Sequence, residues 1–198
     1  PIDVLVNNAG LESIGRFEEL DPLDLDRVIA LNLTVPMQLV RRVLPGMIER
    51  GRGHVVNIAS LAGLAVMAHN EAYSASKFGV VGFTRALRAS LQHEGRAVSA
   101  SAVCPGFVAE AGMFADQQRE QGVATPSLVG ATTPQRVAAA VVRAVERDLP
   151  EVIVTPGPMR PMLALAALAP SLGEWLSPKF GANAVADTVV GKGGVRPK

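Results

Sequence analysis

Ser60, Tyr73 and Lys77 are the residues of this 198-residue sequence whose types and spacing suit proton-transfer chemistry. Tyr73 and Lys77 stand four apart, so on a helix they share one face. A free tyrosine has a pKa of about 10 and is a poor acid–base catalyst near neutrality. A neighbouring ammonium favours the phenolate, so Lys77 is expected to lower the Tyr73 pKa. The phenol would then give a proton to a carbonyl oxygen or take one from an alcohol. Ser60 would hydrogen-bond the same oxygen and fix its position. Taken alone, Tyr-x-x-x-Lys arises by chance on many helices, as a surface tyrosine beside a solvated lysine. The segments around the pair give it weight.

Those segments supply the elements that must position the three side chains. His54-Val55-Val56-Asn57-Ile58 is a short β-branched run leading into Ala59-Ser60. Ser60 therefore sits just past a strand, where α/β sheets place their ligands. A helix is predicted from about Tyr73 to Gln92, with Ala75, Gly79, Gly82 and Ala86 on one side. Such a face permits close approach by another helix, within the fold or across a dimer. Upstream, Ile2 to Val6 reads as a buried parallel strand closed by Asn7-Asn8-Ala9-Gly10. Asp21-Pro22 makes an N-cap and first helical residue, and Val28, Leu31, Val35 and Leu39 a helix stripe. Pro36 is expected to kink that helix, and Gly51-Arg52-Gly53 to end it.

Val98 to Cys104 is a third strand, halted by Pro105-Gly106. Thr133-Pro134 starts a further helix with Val137, Ala140, Val141, Ala144 and Val145 as its apolar stripe, and Glu151 to Thr155 is the last strand. Strands alternating with helices imply parallel βαβ units and a doubly wound α/β sheet. Residues 1–198 read as one domain. Within it, 107–132 is expected to be a variable substrate loop, and 159–198 an apolar segment followed by a flexible tail at Gly191-Lys192-Gly193-Gly194.

Hydrophobic residues make up 48% and charged residues 19%, which suits a globular chain rather than a disordered one. With 19 basic and 18 acidic side chains and no basic run, nothing points to nucleic acid. The apolar run Met162 to Ala169, between Pro161 and Pro170, is too short to span a bilayer. One cysteine, Cys104, cannot form an internal disulfide and fits a reducing, cytoplasmic setting. With three scattered histidines it gives none of the usual metal-ligand spacings, so no metal is expected. Because Pro1 leads straight into a buried strand, the sequence is expected to be a piece of a longer chain.

Four segments, in order, resemble the short-chain dehydrogenase/reductase family. Asn7-Asn8-Ala9-Gly10 is similar to its Asn-Asn-Ala-Gly segment, Val56 to Ser60 to its serine strand, Tyr73-Ser74-Ala75-Ser76-Lys77 to its active-site helix, and Cys104 to Val108 to its nicotinamide-side loop. The serine precedes the tyrosine by 13 residues, as in the family pattern. The likeness runs from Pro1 to about Thr155. It implies a Rossmann-like fold and hydride transfer between NAD or NADP and a small carbonyl compound or secondary alcohol. Ser60, Tyr73, Lys77 and Asn32 would be catalytic, Asn32 as the helix asparagine that holds a water for the proton relay. Asn7, Ala9, Gly10, Tyr73, Lys77, Pro105, Gly106 and Val108 would contact the cofactor. The full-length protein would be a homodimer or homotetramer, and its apolar variable segments tilt the substrate toward a hydrophobic ketone.

Three features depart from the family pattern. Glu110 stands where a threonine is common, which suggests that this loop runs differently. Ser101 stands where an asparagine is common. No Gly-x-x-x-Gly-x-Gly follows a strand, so the N-terminal βαβ unit that binds the pyrophosphate is read as absent and the sheet as incomplete. Residues 1–198 alone are therefore expected to show no turnover. The competing readings are a non-catalytic binding or scaffold protein of the same fold, and an inactive truncated piece.

Overall fold

The computed structural model describes residues 1–126, 129–169, 171, 173, 175 and 182–194. In chain order these form β1 (Val4–Asn7), α1 (Pro22–Ile29), a π-helical turn (Ala30–Thr34), α2 (Val35–Glu49), β2 (Gly53–Ile58), α3 (Glu71–His93) and β3 (Val98–Pro105). There follow β4 (Phe107–Val108), α4 (Met113–Gln121), β5 (Ala131–Thr132), α5 (Pro134–Glu146), β6 (Glu151–Val154), α6 (Arg160–Leu168) and α7 (Ala182–Gly191). Four strands make a parallel sheet in the order β1-β2-β3-β6.

The strand sequences explain the layering. Val55 and Ala100 pack with Val40, Met47 and Leu91, so α2 and α3 cover one face. Val56, Val103, Val152 and Val154 point the other way and pack with Ala140 and Ala144 of α5. Central parallel strands buried on both faces read as near-continuous apolar runs, which is what β2 and β3 supply. This is the doubly wound α/β arrangement that the sequence predicts. β1 is covered differently. Its Leu5 joins the α2 side, but Val4 and Val6 stay 45% and 42% exposed, because α5 lies on β2, β3 and β6.

Asp21 caps α1 as predicted, its side chain accepting from the Leu23 amide. The stripe beyond it is different. Leu39 is exposed, whereas Val28, Asn32, Pro36 and Val40 are buried. These recur every four residues, a spacing that an ordinary helix would rotate off the face. The π turn supplies the missing residue: the Val35 amide reaches back to the Ala30 carbonyl. Pro36 is the second residue of α2, directly after that turn.

Two further expectations change. Residues 107–132 are not a structureless loop, since β4 and β5 pair with each other and α4 lies between them. The Phe114 ring, on α4, sits 4.8 Å from that of Phe107 and belongs to a core with Ile14, Val185, Ala186 and Val189. Hydrophobic burial, invisible to local patterning, orders the segment. The same core holds α7, so Gly191 ends a helix instead of opening a tail, and the Gly194 carbonyl accepts a bond from Gln121. The rest of the apolar segment and tail, at 170, 172, 174, 176–181 and 195–198, lies outside the described residues.

Candidate active site

The carboxyl ends of β1, β2 and β3 open on one cavity of about 1140 Å³, roofed by α4, α5 and α6. Parallel sheets bind ligands at this end. Ser60, just past β2, lines the cavity with Tyr73 and Lys77, which project from the first turns of α3. Both α3 side chains are buried, at 9% and 3% exposure. The Ser60 hydroxyl accepts from the Ala62 amide at 3.1 Å and lies close enough to the Tyr73 phenol to favour its ionised form. The Lys77 ammonium lies 5.5 Å from the centroid of the Tyr73 ring and donates to the Ile58 carbonyl at 3.0 Å. It points inward along the sheet edge, not to bulk water.

α3 can sit this close to the serine loop because residue 63 is glycine. A Cβ there would come within 2.6 Å of the Lys77 carbonyl oxygen. The backbone itself is the obstacle, so no side chain can be accommodated by rotation.

Electrostatics overturn one expectation. Burial, aided by the negative charge of Glu12 and opposed by the Ser60 hydroxyl, raises the Tyr73 pKa above its ordinary value. Lys77 is buried as well, and its own pKa falls to about 8. Burial lowers it, while Cys104 and Glu12 pull it back upward. The phenol is thus held in its protonated, donating form.

Ala9, Gly10, Pro105, Gly106 and Val108 all line the cavity beside this group. Asn7 does not. Its amide turns inward and donates to Asn57 Oδ1 at 2.7 Å, and Asn57 in turn donates to Thr84, while the neighbouring Asn8 lines the cavity. Asn32 is also internal. Its amide clasps the backbone of Leu11 through 2.8 Å bonds in both directions and donates to Ser76. Glu110 is exposed, in a left-handed backbone with φ +75°, and stays out of the cavity lining. Ser101 serves the fold from the middle of β3, bonded to His54 and the Leu149 carbonyl.

Among the cavity residues not anticipated from the sequence are Glu12, Asn70 and Gln117. Glu12 accepts from both amides, at 3.1 and 2.7 Å. The available signal was position, an acidic residue two places beyond Gly10 where a strand has just ended. Among the described residues no group of three or more His, Cys, Asp or Glu could hold a metal, and no helix is long and apolar enough to cross a membrane.

Comparison with known proteins bears on this geometry. The short chain dehydrogenase family profile matches residues 1–122. The ketoacyl reductase HetN of Nostoc sp. is 42% identical over 186 residues, which cover 91% of this chain and 63% of that protein. A putative ketoacyl reductase of Streptomyces coelicolor is 51% identical over 111 residues, 54% of this chain and 41% of that one. The chain thus spans less than two thirds of the length of these relatives. Among solved structures, an actinorhodin polyketide ketoreductase with NADPH superposes with a TM-score of 0.70 at 35% identity, covering 78% of this chain and 66% of that one. A short-chain dehydrogenase/reductase from Burkholderia phymatum in complex with NAD gives 0.72 at 26% identity, covering 85% and 66%. A matched profile over most of the chain, a Nostoc relative aligned over nine-tenths of it and a shared sheet together settle the lineage: this chain belongs to the short-chain dehydrogenase family.

Proposed function

We propose that the full-length protein is an NAD- or NADP-dependent oxidoreductase that interconverts a small carbonyl compound and a secondary alcohol. The observation that carries this reading is the convergence of Ser60, Tyr73 and Lys77 on one cavity. The cavity fits a cofactor together with a substrate, since its volume of about 1140 Å³ exceeds the range of about 300–1,000 Å³ for single-ligand pockets. Lys77, Ala9, Gly10, Pro105, Gly106 and Val108 would hold the cofactor. Gly10 bears on this fit, because a Cβ there would sit 3.6 Å from Lys77 Nζ and 3.3 Å from Asn32 Oδ1, filling the space beside the ammonium. Once bound, the nicotinamide supplies or accepts the hydride.

The chain's own part is binding, orientation and the proton. Ser60 donates to the substrate oxygen and fixes it next to the phenol. Tyr73, kept protonated by burial, gives its proton to that oxygen as negative charge develops there. Asn32 acts by pinning the loop after β1 to α3 through Leu11 and Ser76, and would hold the relay water from that position. Asn7 would support the cofactor loop through Asn57 rather than by touching it. The apolar walls from α4 and α6 favour a hydrophobic substrate. The exposed Met37, Leu39 and Phe78 on α2 and α3 favour assembly into a homodimer or homotetramer, and the free, buried Cys104 a cytoplasmic setting.

Replacing Tyr73 with Phe in the full-length protein tests the assignment. The expected result is a loss of kcat by about 10²–10⁴-fold, with folding and NAD(P)H binding retained, as read by steady-state kinetics and fluorescence titration. Unchanged turnover would remove Tyr73 from the chemistry.

A further inference from the structure

The cavity carries a carboxyl group that the proposed proton transfer does not use. Glu12 enters it from the loop after β1, with Oε1 accepting from Asn70 Nδ2 and Oε2 from Gln117 Nε2. Both oxygens therefore act as acceptors. Two amide N–H groups turned onto the two oxygens favour the ionised form of this carboxyl group. Burial pushes the Glu12 pKa up, while the two amides and the Lys77 ammonium pull it back. Asp116 also lines the cavity, but its carboxylate is paired with Arg119. Among the described lining residues the only cation is Lys77, and its amine is engaged by the Ile58 carbonyl. The Glu12 charge also acts on Tyr73, so it lies within electrostatic reach of the reacting end.

A carboxylate arriving beside Glu12 would thus meet a like charge, with Lys77, held at the Ile58 carbonyl and already within the field of Glu12, as the one cation among the described lining residues. Repulsion in a poorly solvated pocket discriminates more strongly than it would in water. We propose that Glu12 is a specificity-determining residue of this cavity, admitting carbonyl compounds that are neutral next to the reacting carbon, such as ketones, esters and thioesters, and rejecting free carboxylates. The inference rests on the cavity being the substrate site, and it deepens that reading by naming a substrate class. Glu12 also joins the residue preceding α3 to α4, so charge and packing must be separated in the test.

The experiment compares 3-oxobutanoate with its methyl ester as substrates of the full-length protein with NADPH or NADH. Binding of cyclohexanecarboxylate and its methyl ester is measured alongside by calorimetry. Wild type is expected to favour the ester at least about 30-fold in kcat/KM. Glu12→Gln keeps the size and a hydrogen-bonding amide, and should narrow the ratio to under about fivefold by improving the carboxylate. Gln117→Lys leaves Glu12 in place and sets a cation against it, and should also raise carboxylate affinity. It stands in if the first variant does not fold. Equal preference in wild type, or a ratio unmoved by these variants, overturns the proposal while leaving hydride transfer intact. Absent turnover of both substrates, with carboxylate binding still gained in the variants, upholds the charge role and removes the hydride-transfer reading instead.

Discussion

Burial acts on the two α3 residues in opposite senses. The Tyr73 phenol is pushed up and stays protonated, while the Lys77 amine is pulled down to about 8. Lys77 is therefore a folding liability retained at the site. Below about pH 8 the native and unfolded chains both carry its proton, and the cost of burying the cation is fully present. Between about 8 and its ordinary value of 10.5 the unfolded chain holds more of the proton, so this contribution to stability improves as pH rises. Lys77→Met should stabilise the fold at pH 7 by about 1–3 kcal/mol, after allowing for the bond lost at the Ile58 carbonyl, while abolishing turnover. Urea denaturation at pH 7 and pH 10 checks this, since the advantage should shrink at the higher pH. Residue identity was legible in the sequence and residue state was not. Helical spacing brought Tyr73 and Lys77 together, but only the packed structure reveals that burial shifts both of their pKa values. Glu12 was missed for a related reason, as its partners Asn70 and Gln117 lie 58 and 105 residues away.

At the scale of elements, strands and helices with strong periodicity are found where the sequence predicts them. Thr133 caps α5 and the Val137–Val145 stripe faces the sheet, because local pattern and tertiary packing agree there. They disagree at the π turn, where one inserted residue moves the buried face from Leu39 to Val40, and a fixed 3.6-residue period cannot register an insertion. α4 was missed because its order comes from contact with Ile14 and α7 rather than from its own pattern. Gly63 belongs at this scale too, as a contact point between the serine loop and α3. Gly63→Ala should cost about 1–3 kcal/mol, because the new methyl meets backbone at Lys77. Thermal unfolding should show the drop, and kcat should fall even well below the new Tm as the lysine turn is pushed aside.

For the molecule as a whole, topology and the site end of the sheet follow from the strand–helix alternation, whereas the uneven cover over β1 does not. That uneven cover governs how the 198-residue chain behaves in solution. Val4 and Val6, with Ile2 just ahead of the strand, form an apolar ribbon along β1, an edge strand with one hydrogen-bonded neighbour among the described strands. Strands of this kind recruit further strands from other molecules. The chain expressed by itself should therefore be colloidally unstable, with light scattering that climbs with protein concentration and thioflavin-positive clusters at the highest loadings. Val4→Lys should suppress that growth without altering the circular dichroism spectrum, because lysine at a half-exposed marginal position costs little and repels its own copies.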